Sequence, residues 1–185
     1  MKNEKIKYIA LLRGINVGGK NLIKMNDLKQ LFESLKFENV QTYIQSRNVY
    51  FESTYKIESA ITKKLERSLH QVVGDDALVF IRTIEEAEAI VKLYPFNKIK
   101  TAPSTKLYVS FLKEELKKNP KLPHISHKKD VEIIEIKKRE IYSLTMEING
   151  RFGFPNNFVE KEFGIPATTR NWTTVCKLVE FRQNN

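Results

Sequence analysis

Cysteine is nearly missing from this chain: Cys176 is the only one in 185 residues, so no intrachain disulfide can form and a reducing compartment is expected. Long apolar runs are missing too. The basic N-terminal stretch offers only residues 8–12, too short for a signal-peptide core or a membrane span, so a soluble cytoplasmic protein with no membrane partner is expected. No low-complexity tract occurs. Acidic residues are in deficit, 22 against 32 Lys and Arg, which leaves a formal charge of +10 and suits a polyanionic partner. Histidines number 3, and His124 and His127 sit in a lysine-rich loop without the cysteines or carboxylates that would complete a metal shell.

The 41% hydrophobic content suffices for a buried core, and its periodicity sets out the elements. Residues 8–12 are apolar on both faces, as in a strand at the middle of a sheet. Asn26 is placed to cap a helix whose Leu28, Leu31, Phe32 and Leu35 form one stripe. Residues 40–45 and 49–52 predict a hairpin, Ile57, Ala60, Ile61, Leu65, Leu69 and Val72 a second amphipathic helix, and residues 77–82 a fourth strand. The order βαββαβ is that of a ferredoxin-like, split βαβ unit. Thr83 and Glu86 have capping-box spacing, and Pro95 stops the helix they start.

Strands at 106–112, 131–136 and 141–148, a helix at 157–163 ending at Gly164, and a C-terminal helix with Trp172, Val175, Cys176 and Val179 on one face complete the chain. This second half reads as an incomplete copy of the first, lacking its last strand. The expected class is α+β, with a ferredoxin-like subdomain over 1–82, a connecting helix and linker over 83–105, and a second α+β subdomain over 106–185. The loop over 117–130 is expected to be the most mobile.

Chemistry is sparse. Residues 14–20 fit GxxxxGK, but Asn21 stands where Ser or Thr would hold magnesium and the helix starts too late, so a nucleotide-hydrolysing P-loop is rejected. Arg13, Asn16, Gly18, Gly19 and Lys20 nevertheless make a loop rich in free N–H groups and cations, suited to an anion. If Thr168 or Thr169 caps the last helix, Arg170 and Asn171 fall in its first turn, where an arginine opposes the helix dipole unless an anion is near. No triad or acid/base pair is present, and no cofactor is expected. Between residues 97 and 139, 12 Lys or Arg face 5 Asp or Glu, with no base-reading pattern beside them.

The stretches RGINVGGKN, TYIQSRNV and PATTRNWTTVCKL, in that order, resemble a bacterial family catalogued as domain of unknown function 1697. The resemblance covers nearly the whole chain and implies two ferredoxin-like subdomains, with no established activity, substrate or cofactor. Where the family has SGN in the hairpin, this chain has Ser46, Arg47 and Asn48, which adds a cation; where the family usually has arginine after the tryptophan, it has Thr173. In strand order 4-1-3-2 the end of strand one meets the hairpin tip, so residues 13–20 and Ser46, Arg47 and Asn48 are expected to form one cationic surface, with Arg170 and Asn171 added to the site. The leading expectation is a non-enzymatic binder of nucleic-acid backbone or another polyanion. The rivals are an enzyme or sensor for a small phosphorylated metabolite, and a protein-interaction module that pairs exposed strands. Oligomeric state is not readable from the sequence.

Overall fold

The computed structural model describes residues 4–16, 22–43, 47–100 and 102–183. The chain divides into two compact units, Met1–Ala87 and Glu88–Asn185. Both have the α+β, ferredoxin-like character expected, and the second is the incomplete one.

The first unit runs β1 (Ile6–Arg13), α1 (Met25–Ser34), β2 (Glu38–Tyr43), β3 (Asn48–Ser53), α2 (Glu58–Val73) and β4 (Leu78–Thr83). Its sheet has the order β2-β3-β1-β4, with β1 antiparallel to both neighbours. That central place explains why residues 8–12 are apolar throughout: every one is buried. The register puts Tyr8, Ala10, Val49, Phe51 and Ile81 on the face that joins Leu28 and Phe32 of α1 in one core. Phe37 and Phe51 meet at 4.7 Å between ring centroids. Burying a Phe or Leu fully contributes about 1.5–3 kcal/mol, so this cluster carries much of the unit's stability.

Two helix details correct the sequence reading. Asn26 does not cap α1; the N-cap position is Lys24, whose carbonyl accepts the Leu28 N–H at 2.9 Å, and Asn26 lies inside the first turn. In α2 the buried row is Ile61, Leu65, Leu69 and Val73, spaced by four, while Ile57 and Val72 are exposed and Ala60 also faces solvent. The capping box forms as expected. The Thr83 N–H donates to Glu86 Oε2 at 2.8 Å and the Glu86 N–H to Thr83 Oγ1 at 3.1 Å, at the start of α3 (Ile84–Lys92).

The second unit continues with β5 (Thr105–Leu112), β6 (His124–Ile125), β7 (Val131–Lys137), β8 (Glu140–Ile148), β9 (Arg151–Phe152), α4 (Pro155–Phe163), β10 (Ala167–Asn171) and α5 (Trp172–Gln183). The sheet order β10-β5-β8-β7-β6 repeats the 4-1-3-2 arrangement with β6 added at one edge. The last strand is therefore present as β10, contrary to expectation. What the copy lacks is its first crossover helix: residues 113–130 hold β6 and turns instead. Thr168 and Thr169 pair with Phe111 and Ser110 rather than capping a helix, because β-branched residues beside an open strand edge gain a ladder there. α4 starts earlier than residue 157, with Pro155 in the first turn, and closes on left-handed Gly164 as expected.

Candidate functional site

The first candidate surface lies where β1 ends. The Leu12 N–H donates to the Arg47 carbonyl at 2.7 Å, and Arg47 Nη2 reaches the Asn16 carbonyl at 3.5 Å, so the start of the glycine loop and the hairpin meet at one end of the sheet. Gly18, Gly19, Lys20 and Ser46 lie outside the described residues. Gly14 has φ +77, and a Cβ there would overlap the Asp76 carbonyl oxygen, so this glycine is fixed by backbone contact. Asn16 closes the loop: its Nδ2 donates to the Ile23 carbonyl at 3.1 Å and its Oδ1 accepts the Ile23 N–H at 2.9 Å. Its amide thus imitates a strand partner. Asn48 is buried and donates to the Tyr43 carbonyl at 3.3 Å, bracing the hairpin from inside. Arg47 is exposed at the tip, and Arg13 is half-buried at the end of β1.

Arg170 and Asn171 belong to the second unit, and the structure corrects their placement. Both end β10, and α5 begins only at Trp172. Asn171 is itself the cap, its Oδ1 accepting the Thr174 N–H at 2.7 Å. Arg170 Nη1 donates to Thr168 Oγ1 at 2.9 Å and to the Thr169 carbonyl at 3.1 Å, so its guanidinium folds back along its own strand and does not oppose a helix dipole. Trp172 is half-buried, edge-on to Phe96 at 5.2 Å; Val175, Leu178 and Val179 form the buried row of α5. Cys176 is half-buried, and burial first, then Glu180, pushes its thiol above the ordinary value, which disfavours the thiolate a nucleophile needs.

Two of the three histidines, His70 and His124, have structural partners. His70 Nε2 lies 2.8 Å from the Ala77 carbonyl. His124 lies 2.9 Å from Glu162 Oε1 and stacks on Phe158 with centroids 5.7 Å apart, tying β6 to α4. Among the described residues no cluster of His, Cys, Asp or Glu could hold a metal, and no helix is long and apolar enough to cross a membrane.

Under α4 runs a buried polar seam. Ser110 and Thr169 hydroxyls lie 2.7 Å apart, and Thr169 donates to Asn156 Oδ1 at 3.1 Å. Nearby on β8, Ser143 Oγ and Thr145 Oγ1 are buried with no partner among the described residues. All four hydroxyl-bearing side chains are buried. An open cleft of about 390 Å³ lies elsewhere in this unit, between Glu114, Lys117 and Lys118 and the C-terminal end of α4.

The lysine-rich segment is spread over both ends of the second sheet. Leu112 N–H donates to the Arg139 carbonyl at 2.8 Å, which sets the 113–121 loop beside the Lys137–Lys138 turn. Lys128 and Lys129 occupy the turn at the other end, which is knitted by Ser126 Oγ donating to Asp130 Oδ1 at 2.7 Å and accepting the Val131 N–H at 3.1 Å.

The sequence pattern of a family described as protein of unknown function, DUF1697, matches residues 6–142. The chain belongs to that family. A solved structure, that of the conserved bacterial protein SP0830 from Streptococcus pneumoniae, is similar at TM-score 0.71 and 21% identity, over 96% of this chain and 98% of that one. At that identity the likeness speaks to the fold alone. No curated protein matches the chain.

Proposed function

We propose that this DUF1697 protein is a non-enzymatic, cytoplasmic binder of nucleic-acid backbone or a comparable polyanion. The observation that carries the reading is a set of seven exposed lysines: Lys117, Lys118 and Lys121 in the loop, Lys128 and Lys129 in one turn, Lys137 and Lys138 in another. None has an ion-pair partner among the described residues. Ammonium groups left without carboxylates are available to phosphates, and each phosphate neutralised releases counterion. Arg47 and the glycine loop of the first unit are a second cationic element in this reading.

Binding to a labelled nucleic acid across a salt series tests it. Affinity should fall steeply with salt, and Lys128, Lys129, Lys137 and Lys138 changed together to Gln should flatten the slope by about three to four units in a log–log plot. Absence of binding even at low salt would leave the lysines as solvating charge and remove the reading. The cleft beside Lys117 and Lys118 favours a second reading, capture of a small phosphorylated metabolite. Such a ligand would raise the melting temperature with far weaker salt dependence.

A further inference from the structure

In a complete split βαβ unit two helices cover one face of the sheet, as α1 and α2 do in the first unit. The second unit keeps α4 on that face but has no first crossover helix. Register shows which residues share the face: Lys106 pairs with Thr145, Tyr108 with Ser143 and Ser110 with Ile141. The Ser110 end lies under the α4 core. The Lys106 and Tyr108 end is met instead by the chain returning from β8 through Asn149 and Gly150, two successive residues of positive φ that form a tight hairpin.

That return carries Phe152 and Phe154. Lys106 Nζ sits 3.7 Å from the Phe152 ring centroid, a close cation–π contact. Phe154 stands edge-to-face with Tyr108, centroids 6.0 Å apart and planes at 88°, and remains 54% exposed. Between the two phenylalanines, Gly153 lies so close to the Lys128–Lys129 turn that a Cβ there would come within 2.8 Å of the Asp130 carbonyl oxygen. The Met146 N–H donates to that same carbonyl at 3.1 Å, fixing the turn to β8. Aromatic rings and ammonium groups are thus interleaved on elements held by backbone contacts.

We propose that this patch is a stacking platform for single-stranded nucleic acid, with Phe154 as the ring that receives a base and Lys106, Lys128 and Lys129 as the cations that follow the backbone. The inference rests on the polyanion reading and makes it specific. Every base has a π-face, so an exposed ring beside cations binds strands with little sequence preference. A duplex keeps its bases stacked inside and offers the ring nothing, and a polyanion without bases offers it nothing either. The arrangement therefore distinguishes single strands from both.

The test is anisotropy of a labelled single strand, with a duplex of equal length and heparin measured in parallel at low salt. Phe154→Ala should weaken single-strand binding about tenfold while leaving duplex and heparin binding unchanged, and Phe154→Tyr, which keeps the ring, should bind as the parent does. Melting temperatures of both variants establish that they fold. If single strand, duplex and heparin bind alike and Phe154→Ala changes none of them, the platform is wrong and the polyanion reading stands. A loss shared by all three ligands in Phe154→Ala would also overturn it, since a ring that stacks bases has no hold on heparin. If no ligand binds the parent protein, both readings fall.

Discussion

Glycines that look alike in the sequence do unlike work. Gly14 and Gly150 both have positive φ, +77 and +75, yet a Cβ on Gly150 meets nothing within 4 Å whereas one on Gly14 runs into the backbone of Asp76. Gly150→Ala should therefore cost only the left-handed penalty, about 1–2 kcal/mol, while Gly14→Ala adds a clash that only backbone movement relieves and should cost about 3 kcal/mol or more. Urea denaturation of the two variants measures the difference; equal losses would mean that the loop beside Asp76 yields freely. Asn16 makes a related point. The sequence marks it as one polar group of a glycine loop, but its amide is engaged on both sides with Ile23. An amide suited to an anion is equally suited to a backbone, and only the fold decides between them.

Elements were legible wherever a local pattern and the tertiary partner agreed. The central strand announced itself by its unbroken apolar run, and Thr83 with Glu86 formed the capping box their spacing predicts. The reading failed where two local signals competed. Thr168 and Thr169 are good caps and also good strand residues, and pairing with β5 settled the matter in favour of the strand. Asn149-Gly150 after β8 is a strong turn signal, and the hairpin it forms places Phe152 and Phe154. The revised boundary makes Asn171 the cap of α5. Asn171→Ala should lower stability by about 1 kcal/mol with an unchanged denaturant slope, and Asn171→Asp, which keeps the acceptor and adds charge favourable to a helix N-terminus, should restore it. A stable Asn171→Ala that has lost ligand affinity would instead return Asn171 to the binding site.

At the scale of the whole molecule, topology decides which cations can cooperate, and that cannot be read from sequence. Residues 97–139 look like one basic segment, but the strand order sends its lysines to opposite ends of a sheet. Topology also gives each unit a phenol in its central strand, Tyr8 in β1, which is buried, and Tyr108 in β5, which is half-buried. Burial is the leading cause that raises both above the ordinary value of 10.0, and Tyr8 is pushed further by Glu58, Glu86 and Glu85. Tyr8 is 3% exposed and donates its proton to the Tyr55 carbonyl at 3.0 Å, a bond that a phenolate cannot make. The raised values mean that the folded state holds these protons after the unfolded chain has released them. Their contribution is therefore fully present below about pH 10 and declines as pH climbs through the folded-state values. Denaturant midpoints should be flat with respect to these groups at neutral pH and fall on the alkaline side. Tyr8→Phe should lose the hydrogen bond, lowering stability at neutral pH by about 1 kcal/mol, and should flatten the alkaline decline. A decline of unchanged steepness in Tyr8→Phe would assign it to other groups.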